Sequence, residues 1–446
     1  MVNWIPNPDP DAVHIIDHVT RFRLSREDHH YSDDADDVWW SVLIELEGIS
    51  IDQFAQRVAA FADDLMIPAA YDAVDRSATR ATQPVTIYAR TPLIRHINDR
   101  RSDLRVITVL LGASAPERFL DRTAQPRDLP DVIVDDGAVL QAIIDDGIGI
   151  AHELFRSSAT ATRIHHARIF EAEPLPGGMT SVGRGLDRAD IDGFLQACTF
   201  DQMLDEDLFY ALSGQVDWGA RVFSTVAMRR SHGTHVMALA AGRPMSNAAT
   251  THPIICAALP SRIVTDTTGL EMVPVLYLAF HILARQARRF RTRSGAPVPV
   301  VFNFSYGNTG GPHDGTGIFA RLFDHYFGEE AVAAMDTPPK AWLTLPAGNA
   351  NLERLHAVAE DRTEVNHVTT LDLTVLPDDR TPTHVQIWLP NSPEDDQPDF
   401  ATISVRTPFG RDSGTIRSQP WQHAALVYTA GEQIACLAYQ YVGGQT

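Results

Sequence analysis

Ser231-His232-Gly233-Thr234-His235-Val236 runs directly into the small apolar stretch Ala238-Leu239-Ala240-Ala241-Gly242. The residues alone read as a polar turn entering an apolar helix, with side chains small enough for the helix to lie close against a sheet. Two histidines three positions apart could also be metal ligands, but the glycine between them and the lack of an acidic neighbour in sequence weaken that reading. Upstream, Val139-Leu140-Gln141-Ala142-Ile143-Ile144-Asp145-Asp146-Gly147-Ile148 reads as a buried strand that ends on acids and a glycine turn. Downstream, Ile254 to Leu259 predicts a short core strand and Leu270 to Phe290 a long helix, apolar at Leu270, Val273, Leu276, Tyr277, Phe280 and Leu283. Arg285, Arg288 and Arg289 complement that helix's C-terminal dipole. Pro297 to Gly307 then predicts a further core strand, stopping at Asn303-Phe304-Ser305-Tyr306-Gly307, and Trp342-Leu343-Thr344-Leu345-Pro346-Ala347-Gly348-Asn349 a strand running into a loop. Strand, helix and strand in this succession argue for an α/β fold with a doubly wound parallel sheet.

Taken in order, these four segments resemble the motifs of the subtilisin-like serine peptidases, the subtilases. Each match is weak singly, because Asp-x-Gly and Ala-Gly-Asn usually mark turns; four in the family's order are hard to obtain by accident. The resemblance runs from about Val132 to Asn349 with long insertions, and it implies a subtilisin-like fold and peptide-bond hydrolysis. It gives Asp145 the triad carboxylate position, His232 the catalytic imidazole and Asn349 the oxyanion-hole amide. Ser305, Tyr306 and Gly307, with Ala347 and Gly348, take the substrate-binding positions. Tyr306 stands where a small apolar residue is common, which leaves the subsite preference open.

The nucleophile's own motif, Gly-Thr-Ser-x-Ala, does not occur. Gly233-Thr234 belongs to the histidine motif, Gly315-Thr316 precedes Gly317, and Gly414-Thr415 precedes Ile416. Two expectations follow: the chain stops before its serine, which a C-terminal fragment would then supply, or it is a pseudopeptidase that binds peptides without cutting them. The apolar strand Gln433 to Val442, halting at Gly443-Gly444-Gln445-Thr446 without a terminal helix, favours the first. Arg411-Asp412-Ser413-Gly414 resembles the Asp-Ser-Gly of chymotrypsin-type peptidases, but there the order is His, Asp, Ser on paired barrels. A polar hairpin loop is the simpler reading of Ser413.

Composition narrows the partners. The chain has 446 residues and a formal charge of −20, from 57 acids against 37 Lys plus Arg. That surface argues against nucleic acid and anionic membranes, and leaves a protein or peptide as the expected partner. No apolar run reaches membrane-spanning length, and Met1 to Asp9 lacks the basic head and apolar stretch of a signal peptide, so a cytoplasmic setting is expected. Cys198, Cys256 and Cys436 are widely spaced, as suits free thiols. No cofactor or metal is expected. Many subtilases hold structural calcium, but Asp201, Asp205, Glu206 and Asp207 lack the spacing of a calcium loop.

Three units are expected. Residues 1–115 form an N-terminal α/β unit, with strands at Val38 to Leu46, Pro84 to Arg90 and Val106 to Leu111 and helices at Ile51 to Leu65 and Pro92 to Arg101. It is similar in size and order to a subtilase prodomain, and equally readable as an unrelated accessory domain. Pro116 to Pro130 reads as a linker. The peptidase-like core takes residues 131–350, with an insertion at about 155–220 that carries a helix from Asp190 to Leu212. Residues 365–442, with alternating strands at Val368 to Val375, His384 to Leu389, Ala401 to Val405 and Ala424 to Thr429, read as an antiparallel β-sandwich-like insert.

Overall fold

The fold is drawn from a computed structural model, which describes residues 2–6, 24, 38–125, 129–175, 180–219, 224–245, 251–261, 263, 269, 271–307, 310–311, 313–328, 339–349, 352, 355–358, 368–376, 383–388, 402–417, 423–428 and 433–438. Strand β1 is Val2–Pro6. The N-terminal unit follows with β2 (Trp39–Glu47), α1 (Ile51–Arg57), β3 (Leu65–Met66), α2 (Ala73–Ser77), β4 (Thr82–Ala89), α3 (Thr91–Asp99) and β5 (Val106–Ala115). Its strands make an antiparallel sheet in the order β3-β4-β2-β5. Ser50 starts α1 through a capping box: its Oγ accepts from Gln53 N, and its own N–H donates to the Gln53 side chain. The expected helix to Leu65 is shorter, because the chain tightens into a 3-10 turn over Ala59–Asp64, kinked at Phe61.

The larger sheet has six strands: β6 (Leu140–Asp146), β7 (Ile164–Ile169), β8 (Arg184–Asp187), then after helices α4 (Arg188–Cys198), α5 (Glu206–Leu212) and α6 (His232–Ala241) come β9 (Ile254–Leu259), α7 (Val273–Ala287), β10 (Val300–Phe304), α8 (Ile318–Phe327) and β11 (Ala341–Thr344). The order across the sheet is β8-β7-β9-β6-β10-β11, parallel except at β8. β6 therefore lies centrally. The chain leaves it for β7, returns through β9, and crosses to the far side at β10. Every residue of β9 is buried, as is usual for a strand inside a parallel sheet.

The helix expected from Asp190 to Leu212 is two helices. Asp201 and Gln202 both adopt left-handed backbone, closing a hairpin between Thr199–Phe200 and Met203–Leu204, and Asp205 then caps α5 by accepting from Leu208 N. Beyond Asn349 much of the expected sandwich-like insert, including residues 377–382, 389–401, 429–432 and 439–442, lies outside the described residues. Residues 368–376 and 383–388 are not in strands, and Val368, Leu371, Leu373 and Ile387 stand exposed. Alternation encodes a strand only where a second surface takes up its apolar face. Farther on, Thr402–Ile403 pairs with Ile416–Arg417, while β12 (His423–Tyr428) pairs on one side with β13 (Gln433–Ala438) and on the other with β1. Among the described residues no helix is long and apolar enough to cross a membrane.

Helix α7 joins the two sheets: it packs on β6 and β9 with one side and on β2, β4 and β5 with the other. Asp75, in α2, faces it with a carboxylate 3.4 Å from His281 Nε2 and 3.6 Å from Arg285. Burial opposes ionisation of Asp75, yet the His281 hydrogen bond and the two charges together hold its pKa down at about 2. A depressed acid stabilises the fold above its ordinary pKa and loses that contribution as pH falls through the folded value. Acidification from pH 4 to pH 2 is therefore expected to remove about 2 kcal/mol, an effect that Asp75→Asn should abolish in a pH series of thermal melts.

Candidate active site

β6 ends on Asp145 and Asp146, both buried, and α6 begins at His232 beside them. Gly233 makes that approach feasible, because its missing side chain lets the helix start sit against the Asp146 carbonyl and the Asp145 Cβ. Asp146 Oδ1 accepts from Gly233 N at 3.3 Å. Thr234 ties the helix to the loop after β6: its Oγ1 accepts from Gly149 N at 2.7 Å and donates to Gly147 O at 3.1 Å. Gln215 holds the same loop through a hydrogen bond to Ile148 O. Thr234 sat unmarked within the quoted histidine motif, and only its contacts reveal what it does. Thr234→Val is expected to leave two backbone groups unpaired and lower stability by about 1–3 kcal/mol in thermal melts, whereas Thr234→Ser retains most of the parent value.

The outcome is a short contact between His232 Nδ1 and Asp145 Oδ1, 2.7 Å apart, with Asp146 Oδ1 at 3.9 Å. Asp145 Oδ1 also accepts from the Asp146 backbone N–H. The imidazole is half exposed while the Asp145 side chain is almost wholly buried. Burial pushes the Asp145 carboxyl up to about 7, against the lowering by the His232 hydrogen bond and charge. Partial burial of His232 opposes its protonation, but the hydrogen bond and charge of Asp145, with the charge of Asp146, raise its pKa overall. The short hydrogen bond links the two ionisations, so a change of charge on one member is felt by the other. Among the described residues no hydroxyl hydrogen-bonds the His232 ring, whose side chain is half exposed.

The register brings the remaining candidates to the same edge. Phe304 of β10 lies opposite Ile144 of β6, so Ser305, Tyr306 and Gly307 follow at the level of Asp145. Tyr306 stacks on Phe304, ring centroids 6.2 Å apart, and the Ser305 hydroxyl exchanges hydrogen bonds with the Asn303 side chain. β11 pairs in parallel beside β10, and the loop after it meets the first: Gly307 has little room for a Cβ, which would stand 3.2 Å from Gly348 Cα. Gly348 itself is left-handed at φ +90°. Ala347 and Asn349 flank it, both exposed, and Asn349 hydrogen-bonds no described residue.

Asp145, Asp146 and His232 form the one cluster among the described residues with the make-up of a metal site, their ligand atoms lying within 4.8 Å of one another. The 2.7 Å contact is nevertheless hydrogen-bond spacing, tighter than the ~3.3 Å between two ligands on one tetrahedral zinc. His235 is not part of that cluster. The acids of the insertion are otherwise engaged: Asp205 caps α5 and Asp207 pairs with Arg229. Ser413 is buried, its hydroxyl donating to Gly414 O and accepting from Val405 N within the hairpin loop, so it has no access to substrate. Cys198 and Cys256 are free and buried, and burial pushes the Cys256 thiol up to about 12.

No family model matches the chain, and no curated protein matches it. Among solved structures, the CspB protease of Clostridium perfringens is weakly similar over 48% of this chain and 36% of that one, at 16% sequence identity and a TM-score of 0.31.

Proposed function

We propose that residues 132–349 are a subtilase-like, doubly wound scaffold for peptide-bond hydrolysis, in which His232 and Asp145 are the base and its orienting carboxylate and the nucleophilic hydroxyl comes from outside this chain. The observation that carries the reading is the 2.7 Å contact between a buried aspartate at the carboxyl end of a central parallel strand and a histidine opening a helix. A serine hydroxyl is a poor nucleophile at neutral pH and needs an imidazole to take its proton and later deliver it to the leaving amine. His232 Nε2 is the atom for that exchange. Asp145 accepts the other ring N–H, fixing the tautomer and stabilising the imidazolium as it forms. The Asn349 side-chain amide would donate to the developing oxyanion, and loss of one such donor typically lowers turnover about 10²–10³-fold. Ser305 to Gly307 would receive an extended peptide as an added strand.

The open side of α6 supports an external nucleophile. His235, Leu239 and Ala240 are exposed, with Leu239 at 78%, so an apolar surface lies open on the helix that His232 begins. A helix carrying Gly-Thr-Ser-x-Ala could pack there, supplied by a C-terminal fragment. A second reading, peptide binding without cleavage, is favoured by the missing motif and by the lack, among the described residues, of a hydroxyl hydrogen-bonded to His232. No cofactor enters either reading.

The chain by itself is expected to leave peptides uncut and to remain unlabelled by a fluorophosphonate probe. Labelling of any of its serines would overturn the external-nucleophile reading. Adding a polypeptide with the Gly-Thr-Ser-x-Ala segment separates the two readings: probe labelling that vanishes in His232→Ala supports the peptidase, and peptide binding without labelling supports the binding module.

A further inference from the structure

We propose that Asp146 is the positioning residue of the His232–Asp145 pair: it caps the histidine helix from the neighbouring strand and sets a second carboxylate beside the imidazole. The proposal deepens the peptidase reading and rests on it only for the use made of His232. Ser50, Asp72, Asp187 and Asp205, each directly before its helix, accept a first-turn N–H of α1, α2, α4 and α5. Helix α6 is built differently. Ser231 stands at its N-cap with extended backbone, yet its side chain makes no cap hydrogen bond and meets the Thr234 hydroxyl instead. No acid occupies the first turn. The capping role falls to Asp146, 87 residues upstream, whose Oδ1 accepts from Gly233 N at 3.3 Å.

Asp146 meets both members of the pair. Its backbone N–H donates to Asp145 Oδ1 at 2.9 Å, holding the carboxylate that faces His232. Its carbonyl lies so close to Gly233 that a Cβ there would come within 1.8 Å. Its Oδ1 stands 3.9 Å from His232 Nδ1. The residue is itself held in the strand ladder, opposite Leu259 of β9, and is buried. A carboxylate at this end of a helix is favoured by the unpaired N–H groups and the dipole there. With little water between them, its charge also reaches the imidazole more strongly than it would at the surface. Partial burial opposes protonation of His232, while the hydrogen bond and charge of Asp145 and the charge of Asp146 favour it. Both of those acids come from the end of β6. Thr234 ties α6 to the loop after that strand, whereas Asp146 holds the residue that directly follows His232.

The test uses the full chain without an added nucleophile, so its result stands whether or not the chain cuts peptides. Histidine-labelled protein is titrated by NMR, the His232 signals being assigned by their loss in His232→Gln. Asp146→Asn keeps an acceptor for Gly233 N and removes the charge. Its His232 pKa is expected to fall by about half a pH unit or more, with the low-field His232–Asp145 proton resonance and the protection of the Gly233 amide retained. Asp146→Ala removes cap and charge together. Exchange of the Gly233 amide should then rise about tenfold or more, and the low-field resonance should be lost. An Asp146→Asn titration within about 0.1 pH unit of the parent would overturn the proposal, even with a lowered melting temperature, because a merely structural residue would behave so. An Asp146→Ala chain with Gly233 protection and the low-field resonance intact would overturn it as well. Should Asp146→Ala not fold, the Asp146→Asn titration decides alone, since asparagine nearly matches aspartate in shape.

Discussion

Gly233→Ala is expected to lower the stability of the core by about 3 kcal/mol or more, seen as a fall of about 5–10 °C in the transition that reports on it. A Cβ at this position would stand 1.8 Å from the Asp146 carbonyl oxygen, 2.9 Å from Ile148 Cγ1 and 3.0 Å from Asp145 Cβ. The nearest of these is backbone inside the central strand and cannot turn aside as a side-chain tip would. Alanine is the better helix former by about 1 kcal/mol, which the clash exceeds. The helix start must then move off β6 and carry His232 with it. Loss of the low-field proton resonance between His232 and Asp145 should accompany the lower melting temperature. A variant that melts within about 1 °C of the parent, with that resonance intact, would show that α6 can shift without strain.

Phe280→Ala has an expected penalty of about 3–5 kcal/mol, because it empties a wholly buried site in the helix that both sheets share. Phe280 meets Phe302, Phe304 and Phe323, the last edge-on at 5.2 Å. Phe280→Leu should recover more than half of the loss, since it refills most of the volume. Chemical denaturation read by tryptophan fluorescence compares the three proteins. Because Phe304 directly precedes Ser305-Tyr306-Gly307, the same cavity should loosen that strand end, so under the proposed peptidase reading peptide binding should weaken along with stability. A loss below about 1 kcal/mol would mean that the neighbouring rings collapse into the space.

Elements whose pattern is local were legible in the sequence. β6, β9 and β10 are short apolar runs closed by turn residues, and their boundaries lie within a few residues of those expected. The histidine and aspartate segments could be singled out because glycine and acid stand where a strand must stop. What escaped was set by contacts between distant parts. The breadth of α7's apolar surface reads as an ordinary amphipathic helix until the N-terminal sheet covers its second side. His281 is one polar residue in an apolar run, and nothing local to it shows that Tyr326, Ala70 and Asp75 surround it. The break in the 190–212 helix depended on left-handed backbone at Asp201 and Gln202, two residues with no glycine to announce it. Asp146 looked like a spare acid beside Asp145, and only the fold shows it accepting from Gly233 N. Of the alternating segments after residue 365, those near 402–403 and 423–428 form strands because partners lie beside them, whereas 368–376 and 383–388 are not in strands.

The pairing of β1 with β12 joins segments very far apart in sequence: Val2 opposes Tyr428 and Pro6 opposes Ala424. On a ribosome, the first strand emerges long before its partner exists and must wait through the synthesis of both larger sheets. Closing so long a loop is entropically expensive, so this ladder should be among the last contacts to form in refolding. Until then β1 is an unpaired edge bearing Trp4 and Ile5, open to pairing with another nascent copy. A chain whose synthesis has not yet reached β12 therefore leaves β1 without this ladder.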